Sequence, residues 1–172
     1  MYGNPYEQGE CCNCCRRRTV RPKPPPVPCP TAFTALSGIQ VQLQNAEGIM
    51  IENQADVLFD VVINQPGPDI SYNSDTGECF LPADKSFYIS WWIAVDGTET
   101  VSCPEFAVTV DDRVIAIATS PLVTCQLTGS ALISGQPVPS VLSLRNVSRD
   151  RVRYAQTSVQ ANLVIMEVPI KQ

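Results

Sequence analysis

Three features of the sequence predict an all-β fold, an antiparallel sandwich or jelly roll of about ten strands. Residues 31–172 alternate apolar and polar positions in short runs, which is the period of a half-buried strand. Turn residues separate those runs at intervals of about ten residues. No segment carries convincing helical periodicity, and only 17% of the chain is charged, which is low for a domain of solvated helices. A chain of 172 residues, 44% of them hydrophobic, is long enough for one real core and too short for two.

Each element has its own justification. Ile39-Gln40-Val41-Gln42-Leu43-Gln44 alternates strictly and reads as a half-buried strand. Val57 to Ile63 reads as a second, closed by Pro66-Gly67-Pro68. Phe87 to Val95 is rich in aromatic and β-branched residues and is expected to end at the turn dipeptide Asp96-Gly97. Phe106–Val110, the turn Asp111-Asp112 and Arg113–Ala118 form an expected hairpin. A second hairpin is expected from Leu132-Ile133, Gly135-Gln136-Pro137 and Val141–Leu144. In the last strand Val159, Ala161, Leu163 and Ile165 share the inward face, while Gln160 and Asn162 point the other way.

Residues 1–30 are of another kind. They hold seven of the fifteen prolines and five of the eight cysteines, a composition that cannot form a core. The dense thiol cluster Cys11-Cys12-Asn13-Cys14-Cys15 is followed at once by Arg16, Arg17 and Arg18. Six prolines in the nine positions from Pro22 to Pro30 favour an extended polyproline spacer, reaching roughly 28 Å at about 3.1 Å per residue. The chain therefore divides into an N-terminal connector arm, residues 1–30, and a body, residues 31–172. Arg16, Arg17, Arg18, Arg21 and Lys23 oppose two glutamates in the arm, a net of +3, whereas the body has seven basic and fifteen acidic groups, a net of −8. A basic arm on an acidic body suggests electrostatic docking of one copy's arm on another copy.

Composition also excludes function classes. The sequence has no histidine, which removes Ser-His-Asp and Cys-His nucleophilic sites and any metal site that needs imidazole. No catalytic, cofactor-binding or metal-binding residues are assigned, and an enzyme is not expected. No run of eighteen apolar residues is present, so no membrane partner is expected. The acidic body argues against nucleic acid. Met1-Tyr2-Gly3-Asn4-Pro5 does not open a signal peptide, and eight cysteines sit poorly with a permanently reduced cytosol. Synthesis inside a cell followed by exposure to oxidant on lysis reconciles the two.

Six stretches of the body carry a family resemblance. They are Phe59 to Gly67, Ile70-Ser71-Tyr72-Asn73, Tyr88 to Ala94, Ser120 to Thr124, Gly129-Ser130-Ala131-Leu132 and Thr157 to Leu163. Together they resemble the C-terminal domain of the collagen-like exosporium proteins of Bacillus spores, the BclA type, within the complement C1q and tumour-necrosis-factor jelly-roll superfamily. The resemblance implies a ten-stranded jelly roll that forms a tight homotrimer, and a spore-surface location reached by mother-cell lysis. The front end departs from that family, because the cysteine–arginine–proline arm stands where the collagen-like repeat would be. It resembles instead the connectors of spore-appendage, pilus-like fibre subunits. The implied partners are further copies of the chain, stacked as a fibre, together with an exosporium anchor protein and a tip protein. The alternative is a trimeric binding or adhesion head that the arm tethers to the exosporium.

The cysteines carry the cross-linking chemistry. The body holds three, Cys79, Cys103 and Cys125, an odd number, so full oxidation requires at least one partner outside the body. With Cys11, Cys12, Cys14, Cys15 and Cys29 of the arm they are the candidates for intermolecular disulfides. The adjacent arginines would lower thiol pKa values and speed exchange. A buried free thiol at Cys103 or Cys125, or a metal held by the arm's C-x-x-C spacings, are the competing readings. Trp91 and Trp92 are neighbours in one strand, so one enters the core and the other needs cover. Trp92 with Tyr88, Ser90 and Ala94 reads as part of a trimer face, and burial of both faces within one chain is the competing reading. Asp111-Asp112, and Asp69 with Asp75, read as turn formers before calcium ligands. Asn146-Val147-Ser148 matches the glycosylation pattern and reads as a polar turn.

Overall fold

The structure, a computed structural model, describes residues 37–98, 100 and 103–169. The expectations for Cys11, Cys12, Cys14, Cys15, Cys29, Arg16, Arg17, Arg18, Arg21 and Lys23 lie outside the described residues. The described chain folds into strands β1 (Gly38–Leu43), β2 (Met50–Ile51), β3 (Val61–Asn64), β4 (Ser71–Asn73), β5 (Glu78–Leu81), β6 (Ser86–Thr98), β7 (Glu105–Val110), β8 (Arg113–Thr119), β9 (Thr124–Ile133), β10 (Ser140–Asn146), β11 (Val152–Tyr154) and β12 (Ala161–Val168). The count exceeds the expected ten because β2, β4 and β11 are only two or three residues long, too short for alternation to reveal.

Every strand pairing is antiparallel. One sheet runs β2-β11-β6-β12-β1-β3, with β9 on the other edge of β6; the second runs β4-β5-β10-β7-β8. β6 is the pivot of the larger sheet. Its thirteen residues pair with β12 and then β11 on one side, and with β9 on the other.

Between the sheets lies one core. Along β6 the period of two places Phe87, Ile89, Trp91, Ile93 and Val95 inward, all buried. Phe59, Ile70, Phe106, Leu142, Leu144 and Leu163 fill the space against them. The Trp91 ring needs the absence of a side chain at Gly129, its partner in register on β9. A Cβ there would sit 2.6 Å from the indole carbons.

Three local expectations need correction. β9 and β10 are not a hairpin: β9 pairs with β6, β10 with β5 and β7, and residues 134–139 cross between the sheets. An arch and a hairpin use the same Gly and Pro punctuation, and only the packing partners distinguish them. Asp96-Gly97 does not end β6, because Gly97 takes a φ of 110° inside the strand and donates its N–H to Val123 O at 2.9 Å. In the segment 57–63 only Val61 onward is strand; Val57 and Phe59 are core residues on irregular backbone. There Val57 N–H donates to Leu144 O at 2.7 Å, and the Tyr72 hydroxyl binds both the N–H and the C=O of Phe59.

The expected hairpin of β7 and β8 is present. Asp111 and Asp112 both take positive φ, 48° and 62°, as a two-residue turn of this hand demands. Their carboxylates serve the fold. Asp111 Oδ1 accepts from Val141 N–H at 2.9 Å, and Asp112 Oδ1 lies 3.0 Å from Arg145 Nη2.

Candidate self-association face and cysteine-bearing end

The outward face of the larger sheet is built by register. Three rows cross β1, β12, β6 and β9: Gly38–Met166–Tyr88–Leu132, then Gln40–Val164–Ser90–Ser130, then Gln42–Asn162–Trp92–Thr128. The first row is apolar and open to solvent, with Tyr88 36%, Met166 41% and Leu132 73% exposed. Val168 continues it beyond β1. Trp92 is half-buried, and Trp91 is 1% exposed on the opposite side, so the two indoles divide as their adjacency requires. Ser90 and Ala94 share the outward face with Trp92 and are half-buried.

Along the strands this face changes from apolar to polar. Asn162 Oδ1 accepts from Gln40 Nε2 at 2.8 Å and from Gln42 Nε2 at 3.2 Å, while Gln44 Nε2 donates to Gln42 Oε1 at 2.9 Å. The amide cluster buries Asn162 although it points away from the core. Gln160 is buried as well, and its Oε1 accepts from Ala46 N–H at 3.3 Å. At the apolar end a hollow of about 490 Å³ opens between Gly38, Asn64, Pro66, Val164 and Met166. The buried Ser37 hydroxyl lines it and has no hydrogen-bond partner among the described residues. Sequence reading assigned Tyr88 and Trp92 to this face and missed Leu132 and Met166. The signal was available in Leu163-Val164-Ile165-Met166, a strand segment apolar on both sides.

None of the three described cysteines is bonded to another. Cys79 is fully buried, and burial pushes its thiol up to about 12. It is therefore shielded from other subunits while the fold is intact. Cys103 is exposed and Cys125 half-buried. Both stand at the Thr98/Thr124 end of the sandwich, Cys125 in register with Val95 and Cys103 next to Pro104, whose carbonyl accepts from Ser120 N–H at 3.2 Å. Leu122 and Val123, which lead into β9 just before Cys125, are exposed.

Two polar clusters are accounted for by the fold. Asp56 holds Arg145 through Nε at 2.7 Å and Nη2 at 3.1 Å and also accepts from Ser143 Oγ at 2.7 Å. The Asp56 hydrogen bonds raise the guanidinium pKa further above its already high range. Lys85 joins Asp69 at 2.7 Å and Glu167 at 2.9 Å, and those bonds raise its pKa, so Asp69 is an ion-pair partner. Among the described residues no group of three or more potential ligands could hold a metal ion. Asn146 of the glycosylation pattern is fully buried. Its Nδ2 donates to the carbonyls of Ile51, Glu52 and Asp150, and its Oδ1 accepts from Ser148 N–H at 3.0 Å. That side chain is a structural tie in the folded domain.

No family model matches the chain, and no curated protein matches it in sequence. Solved structures do match. The Eiger tumour necrosis factor of S. frugiperda aligns over 81% of this chain and 96% of its own, with a TM-score of 0.63 at 10% identity. Murine APRIL aligns over 77% and 99%, with a TM-score of 0.57 at 6% identity. The globular domain of zebrafish complement 1qA aligns over 80% and 98%, with a TM-score of 0.52 at 12% identity. Identities this low speak for architecture alone. In architecture, the two packed antiparallel sheets of this chain are a jelly roll of the tumour-necrosis-factor and C1q type.

Proposed function

We propose that the protein is a structural subunit of a spore-surface fibre or appendage. Its body is a head of the exosporium BclA type that associates as a homotrimer through the outward face of the larger sheet. Trimers stack head to tail, and the cysteine-bearing arm of one docks on the next and bonds to it through disulfides. Association of this kind does not close on itself and yields a filament. The arm's net charge of +3 against the body's −8 draws the two together. Nothing in this role requires catalysis.

One observation carries the reading. Tyr88, Leu132, Met166 and Val168 lie near one another on the outward sheet face, exposed in the single chain, beside a hollow that a neighbour's side chains could fill. Such a patch on a single copy marks an association surface. Sedimentation velocity combined with negative-stain imaging of the full chain tests it. Trimers for the native sequence, monomers for Leu132→Asp, and fibres in the images are expected. A monomeric native chain overturns the assembly. Discrete trimers without fibres replace it with the tethered adhesion head.

A further inference from the structure

We infer that the outward face of the smaller sheet carries a binding site for a single sugar residue bearing a protonated amine. The site is a basin of about 290 Å³ lined by Glu78, Thr109, Asp111, Val141, Ser143 and Arg145, with Asp112 at its rim. Register builds it. In β5 and β10 the inward residues Cys79, Leu81, Leu142 and Leu144 are all buried, so Glu78, Phe80, Val141, Ser143 and Arg145 point outward. Val141 stands opposite Phe80, and Ser143 opposite Thr109. An outward residue of a sheet ordinarily meets solvent. Thr109 and Ser143 are instead 2% and 3% exposed and form the floor, while Asp56 and Asp112 both reach Arg145 beside them.

Proton directions at the floor are fixed. Ser143 Oγ lies 2.7 Å from Oδ1 of the ion-paired Asp56, a carboxylate that only accepts, so the serine proton points there. Thr109 Oγ1, 2.8 Å from Ser143 Oγ, is then the donor of that pair, and its lone pairs remain for a donor from above. The fold uses the walls only in part. Asp111 Oδ1 takes the Val141 N–H and Glu78 Oε2 takes the Thr76 hydroxyl at 2.9 Å, which leaves the second oxygen of each without a partner among the described residues. Arg145 commits Nε and Nη2 to Asp56 and Asp112, and its Nη1 has no partner among the described residues. The basin thus offers acceptors at Thr109, Asp111 and Glu78 and a donor at Arg145, on strands roughly 5 Å apart, a spacing suited to the hydroxyls around one sugar ring. Val141 and, beside it in register, Phe80, 43% exposed, supply an apolar surface for the ring's C–H face. Three carboxylates, Glu78, Asp111 and Asp112, against the one guanidinium of Arg145 leave the lining a net charge of −2, which repels acidic sugars and draws an ammonium group. Among the described residues these carboxylates are not grouped as ligands for a metal ion. The basin lies on the sheet opposite the proposed self-association face, so the inference does not depend on the fibre reading.

Saturation-transfer NMR on the full chain, titrated with D-glucosamine, D-glucose, D-glucuronate and n-butylamine, tests the site. D-Glucosamine should bind with a dissociation constant of about 1–10 mM, the range open to so small a ligand. D-Glucose should bind about threefold more weakly, and D-glucuronate should give no signal. Glu78→Gln, which keeps the shape of the wall and removes its charge, should erase the preference for the amine and leave D-glucose unchanged. Thr109→Val should weaken both sugars about fivefold by removing the floor acceptor. Glu78 is a half-buried wall residue, so its variant reads out the site even where the threonine variant folds poorly. No signal from D-glucosamine, equal binding of n-butylamine, or titrations unaltered in Glu78→Gln overturn the assignment.

Discussion

The two sides of the larger sheet are written by the same strands and do different work. On the inner side of β6, Phe87, Ile89, Trp91, Ile93 and Val95 are 2% exposed or less, closed over by the second sheet. On the outer side, Tyr88, Ser90, Trp92 and Ala94 alternate with them and meet solvent or one another. Neighbouring residues of one strand therefore belong to different energetic problems. The inner set bears on whether a single chain folds, and the outer set on whether chains join, so substitutions should separate the two.

The largest effect is expected at Trp91. Trp91→Ala should cost about 3–5 kcal/mol of folding stability, measured by urea titration, because it empties the largest buried side chain of the core. A loss no greater than that of Trp92→Ala would erase the contrast. Next comes Gly129→Ala, expected to cost about 1–3 kcal/mol by pressing a methyl group into the Trp91 ring. A neutral result would mean the ring moves aside freely. Alkali sharpens the inner side further. Unfolded, Cys79 releases its proton near pH 9; folded, only near 12. Above pH 9 the unfolded chain thus binds fewer protons than the folded one, and stability falls by about 1.4 kcal/mol per pH unit for this group. Burial raises Tyr72 and Tyr154 in the same direction. Urea midpoints should decline from about pH 9 upward, and a flat profile would count against a sealed core. The smallest effect on folding is expected at Trp92. Trp92→Ser should change single-chain stability by under about 1 kcal/mol, yet lower the sedimentation coefficient of the assembled protein.

Much of this contrast is legible in the sequence, and the reasons for the rest are physical. Alternation reveals β1, β6 and the hairpin of β7 and β8 because each is a local pattern, and at the hairpin Asp111-Asp112 supplies the turn as well. The crossing between β9 and β10 was misread because sheet membership is decided by distant partners. Gln160, Asn162 and Asn146 look like surface polar residues, yet each is buried by hydrogen bonds to segments remote in sequence. The outward face was half legible, since Trp92 and Tyr88 announce themselves while Leu132 looks like an ordinary strand residue.

The paired indoles have a practical consequence. Trp91 is enclosed in hydrocarbon and should emit at short wavelength, shifting to the red when the domain unfolds. Trp92, partly hydrated in a lone copy, should be quenched by iodide and become protected when copies meet. Two consecutive residues thus supply separate optical reporters, one for the folding of a chain and one for its contact with another copy, without any added dye.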